Sequence, residues 1–362
     1  MINFLKTKQR KIQLGYLHAA AIGHLAWEAD MAFIKSRNSN AKTIWITTKK
    51  IANNELLNLI KTKMFIVSNP VLRLLLLPFV KRSRGTRFDG NAEVNDITTY
   101  IQDCAPVSFP LPKVENSRLP DLLVQMKLDP DRKYVCLVVR DELHSQNNVS
   151  LLSAHSTEYR NCSINDFAGT VSYLNSEGYS VIRMGRLAYS CGFTEFKFFD
   201  YANSDLRSDI NDLIILSNCE FTISTLSGVD EIATIYRRPV YIVNYLPVGG
   251  FRVSKLRPLV LPKGLKDKDT GKILTFHEII ERGIWEANVT KMYEDASVEY
   301  VNCSPHELTE FSKQALSHFE GKEHNTDMNK VTSVQNHFMS IKGVNSSLID
   351  KMPKISDLWL NY

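Results

Sequence analysis

The 362-residue chain has no CxxC pair: Cys104, Cys136, Cys162, Cys191, Cys219 and Cys303 stand apart, several inside strand-like runs. That spacing speaks against a disulfide framework and reads as reduced, structural thiols of a cytoplasmic protein. Glycine and proline are sparse, at 16 and 13, and no internal repeat is evident, which leaves little room for disorder or low complexity. Charge of one sign is also scarce. A formal net charge of +5, scattered along the chain, does not argue for nucleic acid, and it suits an anionic small ligand or a membrane surface equally well.

Long apolar runs are missing too. The nearest is PVLRLLLLPFVKRSR, residues 70–84, interrupted by Arg73. It falls short of the roughly 20 residues a transmembrane helix needs. The amino-terminal MINFLKTKQRKIQLGYLH has no uninterrupted apolar stretch followed by a small-residue cleavage site, so no signal peptide is expected.

Hydrophobic residues make up 44% of the chain, enough to bury more than one core at this length, so two domains are expected. The first third alternates strand-like and helix-like segments: KIQLGYLHA, GHLAWEADMAFIKSR, KTIWITTKK, ANNELLNLIKT, KMFIVSNP and VLRLLLLPFVK. That rhythm predicts βαβ units on a parallel sheet. Turn-rich RGTRFDGNAEVND and SFPLPKVENSRLPD interrupt it and place the junction between about residues 85 and 133. From Tyr134 the alternation resumes through YVCLVVRD, INDFAGTVSYLNSEG, YSVIRMG, FKFFDYA, RSDINDLIILSNC and FTISTLSGVDEIATIYRRPVYIVNYLP. The expectation is an α/β protein with two Rossmann-like lobes facing a central cleft, residues 1–110 on the acceptor side and 111–285 on the nucleotide side. Residues 286–362, with the neighbouring LTFHEIIERGIWE, supply helices expected to pack across the lobes.

In an open α/β sheet, ligands sit beyond the carboxyl ends of the strands. The strand FTIST delivers Ser224, Thr225, Ser227 and Gly228 to that edge, at the start of a helix expected over 228–236. Hydroxyls, a residue without a side chain and unpaired helix N–H groups suit a diphosphate. The plainer alternative is that Ser227 caps the helix and Gly228 eases a turn. Arg140 ends one strand and Arg183 another, so both guanidinium groups are expected in the same crevice, with a surface ion pair as the alternative for either.

These segments carry a resemblance. VVRDELHS with HSTEYRNCSINDF, GYSVIRMG, FFDYANSDLRSDINDL, CEFTISTLSGVDEIA with RRPVYIVNYLP, and LTFHEIIERG, within residues 134–283, resemble a family of bacterial glycosyltransferases of surface-polysaccharide assembly. The amino-terminal IGHLAWEADMAF is similar to that family's opening. The resemblance implies a two-lobed GT-B architecture and a nucleotide-activated sugar as substrate, with no further cofactor. It also implies the diphosphate at Ser227 and Gly228, with Glu231 accepting from ribose hydroxyls; a capping acid is the alternative.

In a GT-B arrangement the loop after the first strand faces the sugar, so His24 is a candidate general base for an acceptor hydroxyl, with Glu28 and Asp30 as alternatives and a plain helix-start residue as the bland reading. The polar segment from Arg140 to Asn161 follows a parallel strand and reads as a binding loop. Its Asp141 and Glu158 join His24 as catalytic candidates, and Arg160 and Asn161 join the donor-binding set; Glu142, His144 and His155 lie in the same segment. No DxD triplet stands at a strand end, and Asp129-Pro130-Asp131 reads as a turn, so catalysis without a metal is expected. Arg140, Arg183 and helix dipoles would then neutralise the leaving diphosphate. The run 70–84, with Lys81, Arg82 and Arg84, is either a peripheral membrane contact beside a lipid-linked saccharide acceptor or a core helix ending in basic residues. A non-catalytic nucleotide-sugar-binding protein and a nucleotide-sugar epimerase remain open on the same scaffold.

Overall fold

A computed structural model describes residues 12–37, 41–84, 89, 105–143, 157–186, 188–193, 197–250, 254–322, 336, 340, 354–356, 358 and 359. The first lobe holds strands β1 (Ile12–Leu17), β2 (Lys42–Thr47) and β3 (Ile66–Val67), paired in parallel in that order. Helix α1 (Ile22–Arg37) returns the chain from β1 to β2. Its buried side runs from Leu25 to Ile34. Helix α2 (Asn54–Lys61) starts where the Asn53 side chain accepts from the Leu56 amide at 2.7 Å, a cap in the usual sense, and α3 (Pro70–Ser83) starts on the Asn69 side chain in the same way.

The second lobe is a seven-stranded sheet, parallel throughout. Its strands are β4 (Tyr134–Val138), β5 (Ser180–Met184), β6 (Phe198–Asp200), β7 (Thr222–Ser224), β8 (Val240–Tyr245), β9 (Leu259–Pro262) and β12 (Lys354–Ile355). Every residue of β4, β5, β7, β8 and β9 is buried, as strands covered by helices on both faces require. The spatial order is β12-β9-β8-β7-β4-β5-β6. The chain therefore builds outward from β4 to β6, then crosses back to lay β7 on the other side of β4. That reversal opens a crevice between the carboxyl ends of β4 and β7. A separate antiparallel pair, β10 (Gly264–Asp267) with β11 (Val298–Val301), follows β9.

Four helices matter to the site. They are α4 (Ala168–Ser176), α5 (Asp209–Asn218), α6 (Asp230–Ile235) and α7 (Pro305–Phe319). Ser304 and Glu307 form a reciprocal capping box at the start of α7, with Pro305 in its first turn. Of the region 286–362, expected to pack across the lobes, most of 323–362 lies outside the described residues; α7 packs on the second lobe, where the Thr170 hydroxyl of α4 donates to the Leu308 carbonyl at 3.1 Å and the Ser312 hydroxyl reaches Thr170 at 3.0 Å. The junction expected within 85–133 falls partly outside the described residues.

Among the described residues, the lobes touch at places that include the following. Gly23 of α1 packs on Gly228, where a Cβ on Gly23 would lie 2.9 Å from the Gly228 Cα. Asp30 of α1, wholly buried, accepts a two-pronged bond from Arg237 at 2.9 and 3.2 Å, and the Ser108 hydroxyl bonds the same carboxylate. Beside α2, the Asn54 amide donates to the Asp209 carboxylate at 2.7 Å. An apolar core containing Leu25, Val135, Ile182, Leu213, Val243 and Phe311 continues through both lobes.

Candidate functional site

Leu17 ends β1, and the chain turns through residues 18–21 into α1. His18 and His24 are both exposed at this edge, whereas Glu28, one turn beyond His24, is buried. The spacing of His24 and Glu28, four residues apart on a helix, puts both on one face. Nδ1 of His24 lies 2.9 Å from Glu28 Oε1, and Nδ1 of His18 lies 2.8 Å from the same oxygen. The His18 backbone amide donates to Oε2 at 2.9 Å. Burial pushes the Glu28 carboxyl up, but the hydrogen bonds from His24 and His18 outweigh it and hold it below the ordinary carboxylate range. A charged Glu28 favours the hydrogen on His24 Nδ1, which makes Nε2 the basic nitrogen of the neutral ring. Among the described residues, His18, His24 and Glu28 also form a group whose ligand atoms, within 4.8 Å of one another, can hold a metal ion.

Across the cleft, the crevice between β4 and β7 gathers cations. Arg140 follows β4, and its backbone amide donates to the Thr225 hydroxyl at 2.9 Å, tying the two strand ends together. Among the described residues its side chain bonds neutral groups: Nε donates to the Asn161 side chain at 3.2 Å and Nη2 to the Thr157 hydroxyl at 2.6 Å. Arg160 donates through Nη2 to the Leu226 carbonyl, and its buried Nε has no hydrogen-bond partner. Lys263, just past β9 and wholly buried, donates to the Asn161 carbonyl at 2.8 Å and stands 5.4 Å from the Tyr300 ring centre. Among the described residues, none of these three cations has a carboxylate within ion-pair distance.

The energetic consequence shows in their acidities. Burial, with the nearby charge of Arg160, lowers Arg140 to about 10. Burial, with the charge of Arg140 adding to it, lowers Lys263 to about 8. Burial and neighbouring like charge both oppose the charged forms of Arg140 and Lys263, and a negative charge placed beside them would relieve both effects. Leu226 sits in the same crevice with φ of +61°, a left-handed conformation that costs a non-glycine residue on the order of 1 kcal/mol or more. Its amide donates to the Ser224 hydroxyl at 2.9 Å.

The remaining sequence candidates are placed as follows. Arg183 does not project into the crevice: it is wholly buried and held by Asp141 at 3.3 Å, Asp200 at 3.2 Å and the Tyr189 carbonyl at 2.6 Å. Asp141 is correspondingly committed, since it also accepts from the Tyr189 amide at 2.8 Å. Glu231 does not face a ribose, because it pairs with buried Arg257 at 2.8 Å. Burial opposes the Arg257 charge, but the carboxylates of Glu231 and Asp230 outweigh it and hold the guanidinium above its usual value. Ser224 gives its hydroxyl to Asp230 at 2.6 Å.

Helix α6 begins at Asp230, two residues later than expected, and all six of its residues are buried, so Ser227 is not its cap. Ser227 and Gly228 are half-buried where the lobes meet, and Gly228 has φ of +71°. Glu158 is exposed, with its amide donating to the Thr290 hydroxyl at 3.1 Å. Asp30 is withdrawn from catalysis by its pairing with Arg237. His144 and His155 lie outside the described residues. The structure thus brings together Arg140, Arg160, Asn161 and Thr225 on one side and His24 with Glu28 on the other. Sequence reasoning missed His18 and Lys263. A histidine at the strand end, six residues before His24, was a readable signal for the first; Lys263, in LVLPKG, reads only as a turn lysine.

No family model and no curated protein matches the chain. Among solved structures, it is similar to a family 9 glycosyl transferase from Veillonella parvula, at 8% identity over 66% of this chain and 82% of that one, with a TM-score of 0.43. It is also similar to the E. coli ADP-heptose LPS heptosyltransferase II, at 11% identity over 85% and 99% of the two chains, with a TM-score of 0.40. These likenesses are loose. The fold rests on the sheet order, and the site on the side chains described above.

Proposed function

We propose that this chain is a glycosyltransferase that moves a sugar from a nucleotide-activated donor to a saccharide hydroxyl. One observation supports the reading: Arg140, Arg160 and Lys263 cluster at the β4/β7 crevice with no carboxylate at ion-pair distance among the described residues, opposite a lobe that presents His24 backed by Glu28. In this reading the donor diphosphate sits against Arg160 and Asn161, with Arg140 and the buried charge of Lys263 behind them. His24 Nε2 takes the proton of the acceptor hydroxyl as its oxygen bonds to the anomeric carbon. The bond from that carbon to the diphosphate oxygen breaks, and its electron pair leaves with the diphosphate, where the three cations stabilise it without a metal. Glu28 stabilises the imidazolium and fixes its tautomer.

The sequence resemblance extends the reading to surface-polysaccharide assembly, lipopolysaccharide or capsule, on the cytoplasmic side of the membrane. A saccharide or lipid-linked saccharide is then the acceptor. The test is release of nucleoside diphosphate from a panel of nucleotide sugars by the purified chain, with and without acceptors. Release that depends on an acceptor supports transfer. Binding without turnover would support the non-catalytic alternative, and conversion of the donor sugar without an acceptor would support an epimerase.

A further inference from the structure

Within the run 70–84, helix α3 is apolar on both sides. Along α3 the partly or fully buried positions are Arg73, Leu76, Leu77, Val80 and Ser83, spaced three and four apart on the side that packs on β1 and β2. The opposite side should be polar in a protein surrounded by water. It carries Val71, Leu72, Leu74, Leu75 and Phe79 instead, at 64%, 52%, 70%, 60% and 57% exposure. Five large apolar side chains on one helix face form a patch of the kind that marks an interaction surface. Neither the core-helix reading nor a spanning segment accounts for it: the helix is half out of the core, and among the described residues no helix is long and apolar enough to cross a membrane.

Charge selects the partner. The helix contains no acidic residue, while Lys81, Arg82 and Arg84 are exposed at its carboxyl end. The Asn69 cap and Pro70 secure the first turn, so the face is already formed before anything meets it. We infer that α3 is an interfacial anchor: it lies in the surface of an anionic bilayer, with Leu74, Leu75 and Phe79 among the acyl chains and Lys81, Arg82 and Arg84 against the headgroup phosphates. α3 belongs to the lobe that presents His24, so docking would set that half of the cleft beside the membrane.

The inference does not rest on the reaction in the cleft, because it is read without donor or acceptor; its failure would leave glycosyl transfer standing. The experiment is co-sedimentation of the full chain with vesicles of phosphatidylcholine alone or mixed with phosphatidylglycerol. The parent protein is expected to bind the anionic vesicles and to release as salt rises. Replacing Lys81 and Arg82 together by Gln should weaken that binding about thirtyfold, from the usual worth of two charges near an anionic surface. Leu74→Gln with Leu75→Gln, both exposed, should weaken it by about tenfold or more while melting as the parent does. Parent binding no better to anionic than to neutral vesicles, or variants that bind as tightly, would overturn it. So would a parent that is dimeric by light scattering and becomes monomeric in the leucine variant, which would give the face to a second copy of the chain.

Discussion

Gly23 and Gly228 meet backbone to backbone at the point where the two lobes touch, so closely that a Cβ on either residue lies within 4 Å of the other's main chain. Gly23→Ala would force an atom to 2.9 Å from the Gly228 Cα and 3.1 Å from its carbonyl oxygen, and neither belongs to a flexible side chain. The lobes must then separate by a few tenths of an ångström. The expected result is a destabilisation of about 1–3 kcal/mol, measured by denaturant unfolding. Gly228→Val would place its Cβ at an ordinary 3.6 Å from the Gly23 nitrogen but add strain at φ of +71°. A loss of donor binding in that variant therefore has to be compared with Gly23→Ala before it is credited to a missing phosphate contact.

Lys263→Met should raise stability while lowering donor affinity. The free protein carries a wholly buried ammonium whose charge faces no carboxylate among the described residues. An apolar side chain of similar length removes that desolvation cost, so the unliganded protein should gain stability. Thermal melts without ligand should move up, and calorimetric titration of the preferred nucleotide sugar should show affinity reduced by about tenfold or more. A lower melting temperature together with unchanged affinity would make Lys263 a packing residue.

The same group sets a pH dependence. Lys263 is cationic below about 8 in the folded chain and neutral above it. An anionic ligand favours the protonated form, so donor affinity should hold steady below pH 8 and fall as pH rises through that value. In Lys263→Met the decline should disappear. Titrations across this range in both proteins check it; parallel curves would show that another group is responsible.

His24→Ala should lower kcat by about 10²–10⁴-fold and leave the dissociation constant of the donor nearly unchanged, since the base acts on the acceptor. Glu28→Gln keeps the shape and loses the charge that holds His24, so it should lower kcat in the same direction by a smaller factor. Equal loss of donor affinity in both variants would mean that the pair supports the donor site instead.

Zinc offers a separate check. His18, His24 and Glu28 can close around a transition metal, which would replace the His24–Glu28 hydrogen bond that sets the tautomer of His24. Added Zn²⁺ should inhibit, a chelator should restore activity, and a chelator alone should leave the untreated enzyme unaffected. Activity that requires a metal after chelation would sink the metal-independent reading.

The sheets were legible because parallel strands are continuous apolar runs, and YVCLV or VYIVNY can hardly be anything else. His24 was legible because a strand end followed by a helix start is a local pattern. Arg183 was misjudged because its position at the end of β5 does not say which way the guanidinium turns; that is decided by Asp141, 42 residues away, and Asp200, 17 away. Glu231 was misjudged for the same reason, since its partner Arg257 arrives only after β8. Gly228 is glycine at a left-handed position against a neighbouring backbone, and local sequence cannot distinguish that need from room left for a ligand.

Among the described residues no carboxylate pairs with Arg140, Arg160 or Lys263 at the β4/β7 crevice, so a bound anion would balance their charge. If that anion is the donor's diphosphate, the spent nucleoside diphosphate carries at least as much negative charge as the intact donor and is gripped at least as firmly by Arg140, Arg160 and Lys263. Emptying the crevice, not breaking the sugar bond, then sets the pace of turnover, and a phosphatase that removes the nucleotide should speed the steady state while leaving a single turnover unchanged.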